Sequence, residues 1–197
     1  CLARADSIEQ ARQRLLPAIC AAMGVESLPG EMASRVVPVC GLLERDRLGM
    51  EEGAFAELAQ RVDCIIHCAA LVNHVQPYTG HRAANVGGTN VVLELAVAGG
   101  SNASVHFVST SNVVLASKPA APVLEVTPLR MSDVAANLNG YAQSKLVSEL
   151  LCWDAAAAGL PLAGYRPGII SSHRANDYCK PDDFYPRLLR AIASHGT

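Results

Sequence analysis

The feature that most constrains this chain is the alternation of short apolar runs with helical stretches. The segments "VDCIIH" (62–67), "SVHFVST" (104–110) and "LPLAGYR" (160–166) are each the length of a strand. A long helix from about Gly80 to Ala98 separates the first two, and a helix containing "GYAQSKLVSEL" (140–150) separates the last two. Strands joined through intervening helices make right-handed crossovers, and these build a parallel sheet covered on both faces. The expected fold class is therefore α/β with a doubly wound parallel sheet. Upstream the same alternation continues: an apolar start (1–4), an amphipathic helix over Ser7–Met23 carrying Ile8, Ala11, Leu15, Ile19 and Ala22, a β-branched run "RVVPV" (35–39), and a helix near 51–60. A proline-punctuated loop is expected over 117–136, and a helix-like "FYPRLLRAI" follows Pro181 with no strand to pack on.

In an open parallel sheet, ligands bind beyond the carboxyl ends of the strands. That rule picks out His67, Ser109, Thr110 and Arg166, each at the end of an expected strand. Tyr141 and Lys145 lie four residues apart, so a helix puts the phenol and the ammonium on one face, where both can reach one bound molecule.

Composition narrows the function further. Half of the residues are hydrophobic and 17% are charged, which describes a folded globular chain. A net charge of -2 with the signs interspersed leaves no electrostatic footprint for nucleic acid or for an anionic membrane. No apolar run reaches the ~20 residues that span a bilayer, and the start "CLARADSIEQ" is not a signal peptide. The seven cysteines contain no CxxC pair and several sit in apolar runs, so they read as reduced residues of a cytoplasmic protein. His67, His74 and His81 are evenly spaced, but across a strand end, a loop and a helix start, so no metal site is expected.

Taken in order, "CLARA", "LGM", "HCAALVNHVQPY", "ANVGGT", "VSTSNV", "GYAQSKLVSE" and "GLPLAGYRPG", with Asp177 beyond, resemble the extended short-chain dehydrogenase/reductase family over nearly the whole chain. More narrowly, the chain is similar to the thioester reductase domains that end non-ribosomal peptide synthetases, polyketide synthases, aminoadipate reductases and carboxylic acid reductases. The resemblance implies a Rossmann-like sheet and an NADPH-dependent reductase. Such an enzyme releases an acyl or peptidyl thioester from a phosphopantetheinyl carrier domain, in the same polypeptide, as an aldehyde, with or without onward reduction to an alcohol. Two other readings stand beside it: a free-standing reductase or epimerase acting on acyl-CoA or a nucleotide sugar, and a non-catalytic NADP-binding module.

By the same resemblance, Tyr141 is the general acid, and Lys145 lowers the phenol's pKa from its ordinary ~10 and binds the nicotinamide ribose. Thr110 donates to the substrate carbonyl oxygen. Arg4, with Arg14, meets the 2′-phosphate that distinguishes NADPH. His67, Ala69, Ala70 and Ser109 line the cofactor wall, Asn85 supports the strand ends, and Pro167, Gly168 and Ile169 close over the nicotinamide.

Two departures stand out. Leu42 occupies the position where the family has an aspartate near the adenine, and no GxxGxxG turn occurs. The family places that turn before "CLARA", so residues 1–197 read as a partial dinucleotide-binding domain lacking its first strand, with 175–197 as the start of a shortened substrate region. Alone, these residues are expected to be poorly stable and inactive.

Overall fold

A computed structural model describes residues 1–100, 103–115, 139–180 and 183–196, so the loop expected at 117–136 lies outside the described residues. The chain divides into two units, Cys1–Gly41 with Ile169–Thr197, and Leu42–Gly168.

In the first unit, strand β1 (Leu2–Ala3) pairs in parallel with β2 (Val39–Cys40), and the helices α1 (Ile8–Met23) and α2 (Gly30–Arg35) lie between them in sequence. Helix α1 begins where expected because the Ser7 side chain accepts from the Gln10 N–H, and it ends at Gly24, whose φ of 68° lets the last turn close. The run "RVVPV" is a strand only at its end. Pro38 has no N–H to give a ladder, so pairing starts at Val39, whose N–H donates to the Cys1 carbonyl at 2.8 Å.

The second unit contains a three-stranded parallel sheet in the order β3 (Cys64–His67), β4 (Ser104–Val108), β5 (Leu162–Tyr165). Helix α3 (Glu52–Arg61) precedes β3. A short helix α4 (Tyr78–His81) runs through a π segment (Arg82–Gly87) into α5 (Gly88–Ala98), and α6 (Asn112–Leu115) and the long α7 (Gly140–Ala157) follow β4. The expected α/β class with a parallel sheet is what the structure has. Helix α5 shows why the layers hold. Val91 and Leu95 pack with Leu48, Phe55 and Ala59, while Val92 and Ala96, one position round, pack with Ala103, Val105 and Leu160. Two apolar rows on one helix thus join helix to helix and helix to sheet, each buried valine, leucine or phenylalanine contributing about 1.5–3 kcal/mol. Back in the first unit, α8 (Phe184–His195) is amphipathic with Phe184, Leu188, Leu189 and Ile192 exposed.

Candidate active site

Three strand ends and the start of α7 carry the expected side chains of the second unit. Beyond β4 and β5 the parallel ladder continues without regular strand: the Ser109 N–H donates to the Tyr165 carbonyl at 2.7 Å and the Ser111 N–H to the Pro167 carbonyl at 2.9 Å. Ser109 and Thr110 are thereby fixed beside Arg166, Pro167 and Gly168. The Thr110 Oγ1 accepts from the Asn112 N–H at 3.3 Å, which leaves its own hydrogen to donate elsewhere. The Ser109 hydroxyl is buried with no hydrogen-bond partner among the described residues.

Helix α7 starts sharply at Asn139, whose side chain accepts from the Ala142 N–H at 2.9 Å. Gly140 sits so close to α4 that a Cβ there would lie 2.4 Å from the Pro77 carbonyl carbon and 2.5 Å from the Gln76 oxygen. These are backbone atoms and cannot swing aside. Gly140→Ala is expected to cost about 2–3 kcal/mol in chemical denaturation and to displace the Tyr141 turn.

Tyr141 follows, half-buried, its ring edge-on to His74 (centroids 5.6 Å apart) and tilted against His81 (6.2 Å). One turn on, the Lys145 ammonium is buried over the Phe107 ring, 4.1 Å from its centroid. Burial pulls its pKa down from 10.5 to about 8, against the opposing pull of Cys152, Glu149 and Cys68. Lys145 is therefore mostly charged at neutral pH, but only narrowly.

Asn85, in the π segment, braces the whole arrangement. Its carbonyl oxygen accepts from the Gly88 N–H and also from the Thr89 hydroxyl at 2.6 Å and the Ser148 hydroxyl at 2.9 Å. Its side-chain amide accepts from the Leu71 N–H at 2.7 Å and donates to the Leu71 carbonyl and to Ser144 Oγ. Ser144 in turn donates to the Tyr141 carbonyl at 2.7 Å. Asn85 and Ser144 thus tie the loop after β3 to the turn that bears Tyr141.

His67 is turned inward, 3% exposed, tilted against Phe107, with Nε2 3.1 Å from Thr89 Oγ1. Thr89 gives its hydrogen to Asn85, so His67 must donate from Nε2, as a neutral ring. Burial, then the charge of Lys145, lowers its pKa to about 4. Between pH 6.5 and 4 the unfolded chain binds a proton that the native chain refuses, so stability falls as the pH drops through that window. Urea titrations at pH 4.5 and 7 should show a pH-dependent loss on the order of 2 kcal/mol in the native protein that is absent from His67→Gln.

The remaining expected residues divide between the units. Ala69 and Ala70 lie in the irregular segment after β3, and Gly168 is exposed with open space where a side chain would be. Ile169 belongs to the first unit and is 76% exposed. In that unit the Arg14 guanidinium donates to the backbone carbonyl of Arg4, just past the end of β1, and both residues are exposed. Sequence reasoning missed the role of Glu149. The spacing from Lys145 to Glu149 was readable, but not that Arg166 turns inward to meet that carboxylate.

A nicotinamide-dinucleotide-binding domain of the oxidoreductase kind is the class that this fold and these side chains define. The chain belongs to the NAD-binding family described as male sterility protein, whose family model matches residues 1–197. It is 48% identical over 157 residues to the glycine betaine reductase ATRR of Emericella nidulans, covering 79% of this chain and 12% of that protein. It is 38% identical over 178 residues to the non-canonical nonribosomal peptide synthetase hkm10 of Aspergillus hancockii, covering 84% of this chain and 17% of the relative. The solved terminal R domain of the myxalamid PKS-NRPS biosynthetic pathway superposes with a TM-score of 0.90 at 34% identity, over 100% of this chain and 49% of that one. The chain thus spans less than a fifth of these two relatives and about half of the solved domain.

Proposed function

We propose that this chain is the nucleotide-binding and catalytic part of an NADPH-dependent thioester reductase. On this reading it takes an acyl or peptidyl group from a phosphopantetheinyl carrier domain in the same cytoplasmic polypeptide and releases it as an aldehyde, with residues 175–197 opening the substrate region. The observation that carries the reading is the placement of Tyr141 and Lys145 on one face of α7, in the same unit as the Thr110 hydroxyl at the end of β4. The similarity to reductases and to nonribosomal peptide synthetases supports it.

The residues present fit a nicotinamide ribose. Among the described residues the buried Ser109 hydroxyl has no partner and the Lys145 ammonium lies over an aromatic ring with no ion pair, and Gly168 leaves its surroundings open. NADPH, when bound, supplies the hydride. Lys145 holds the ribose and favours the ionised phenol, and Tyr141 gives its proton to the oxygen that gains charge. Thr110 donates a hydrogen bond to that same oxygen. Arg4 and Arg14 select the 2′-phosphate, since a guanidinium suits a phosphate better than a ribose hydroxyl.

The full-length protein tests this directly. With NADPH, an acyl group loaded on the carrier domain should yield aldehyde, trapped as its hydrazone, much faster than the same acyl-CoA, and NADH should support little turnover. Preference for acyl-CoA or a nucleotide sugar would replace the carrier-bound substrate in this reading. Nucleotide binding with no turnover on any of them would make the chain a binding module.

A further inference from the structure

Lys145 and Glu149 are four residues apart on α7, both buried at 2% and 1% exposure, and such a pair ordinarily closes into a salt bridge. Here no ion pair joins them among the described residues. Lys145 lies over Phe107 instead, and Glu149 Oε1 is taken by Arg166, whose Nε and Nη2 donate to it at 2.8 and 2.5 Å, with Trp153 Nε1 adding a third bond at 3.1 Å. The other carboxylate oxygen, Oε2, is buried with no hydrogen bond among the described residues.

We propose that Arg166 is a positioning residue: by holding Glu149 it keeps that carboxylate from capturing Lys145, and so leaves the ammonium over Phe107 on the face that carries Tyr141. Three observations carry this. The guanidinium is fixed from outside the helix, because backbone bonds from Ser109 to Tyr165 and from Ser111 to Pro167 bracket Arg166 on the strand end. A buried carboxylate that loses its cation must find another, and Lys145 is the cation one turn away. Moving Lys145 toward Glu149 would draw it down the helix, away from the tyrosine one turn in the other direction.

The charged and titratable groups around Lys145 leave few competitors. Tyr141, Glu149 and Cys152 come from its own helix, His67 and Cys68 from the end of β3, and Arg166 from beyond β5, while β4 presents the neutral Phe107 ring. His67 is held neutral, and the Cys152 thiol is pushed up to about 12 by burial, so neither supplies a counter-charge at neutral pH. Glu149 is the one carboxylate of this set.

The inference rests on reading Tyr141 and Lys145 as a proton-transfer pair, so its test reads the phenol apart from the reaction. In the full-length protein, the Tyr141 phenol is titrated by its phenolate ultraviolet absorbance, each variant measured against the same variant carrying Tyr141→Phe. Arg166→Met should raise the phenol's midpoint by about one unit, weaken NADPH binding measured by fluorescence, and lower turnover about tenfold or more. Adding Glu149→Gln to Arg166→Met removes the captor and should return the midpoint to within about 0.3 unit of the native protein, with NADPH affinity and most turnover restored. A merely structural ion pair would leave the double variant no better than Arg166→Met, and that result overturns the proposal, as does an unshifted phenol in Arg166→Met. If Arg166→Met does not fold, the double variant decides alone: a native-like midpoint upholds the proposal and an upward shift of about a unit overturns it. A protein that reduces no thioester while its phenol follows this pattern refutes the proposed reaction and upholds the positioning role.

Discussion

Tyr141→Phe is expected to lower turnover by about 10²–10⁴-fold while leaving NADPH binding close to native, because it removes one hydroxyl and keeps the ring. The ring is what His74 and His81 pack against, so the helix start should not shift and the thermal midpoint should change little. Steady-state turnover on the carrier-bound thioester, with NADPH affinity from fluorescence, checks both halves. A parallel loss of affinity and stability would mean that the phenol is a packing group.

Lys145→Met should separate function from stability even more sharply. Methionine keeps the apolar stem over Phe107 and removes a charge that burial disfavours, so the variant should be at least as stable as the native protein at pH 7. Its turnover should fall about 10²–10³-fold, with weaker NADPH binding, because both the phenol and the ribose lose their cation. The pH dependence carries the sign. With its native pKa near 8 and the ordinary value at 10.5, Lys145 binds fewer protons in the folded than in the unfolded chain between those limits. Native stability should therefore gain a rising contribution from pH 8 to 10.5 that Lys145→Met lacks, while native kcat/KM falls as the pH passes about 8.

What could be read from the residues alone follows from what each signal depends on. Strand β3 and helices α1 and α7 were legible because hydrophobic period and capping chemistry are local, and Ser7 and Asn139 cap their helices as their residue types demand. The shared face of Tyr141 and Lys145 follows from helix geometry alone. The inward turn of His67 and of Arg166 was not legible, since a polar residue at a strand end can face either a ligand or a partner elsewhere in the fold. Each one's partner, Thr89 or Glu149, comes from a different element. Nor does local pattern announce the π segment at Asn85 or the contact of Gly140 with Pro77. The first depends on hydroxyls from α5 and α7 and the second on α4. The run at 35–39 misled because its valines outweigh the one proline that delays the strand.

The most direct measurement is a single turnover of the full-length protein on its carrier-bound thioester with NADPH carrying deuterium at the transferable position, followed by mass analysis of the product. Hydride delivery at the Tyr141–Lys145 site should give an aldehyde with one deuterium on its carbonyl carbon, and Tyr141→Phe should give almost none over the same interval. Release of the acyl group as an unlabelled acid, or of unlabelled aldehyde at the native rate, would contradict reduction at this site.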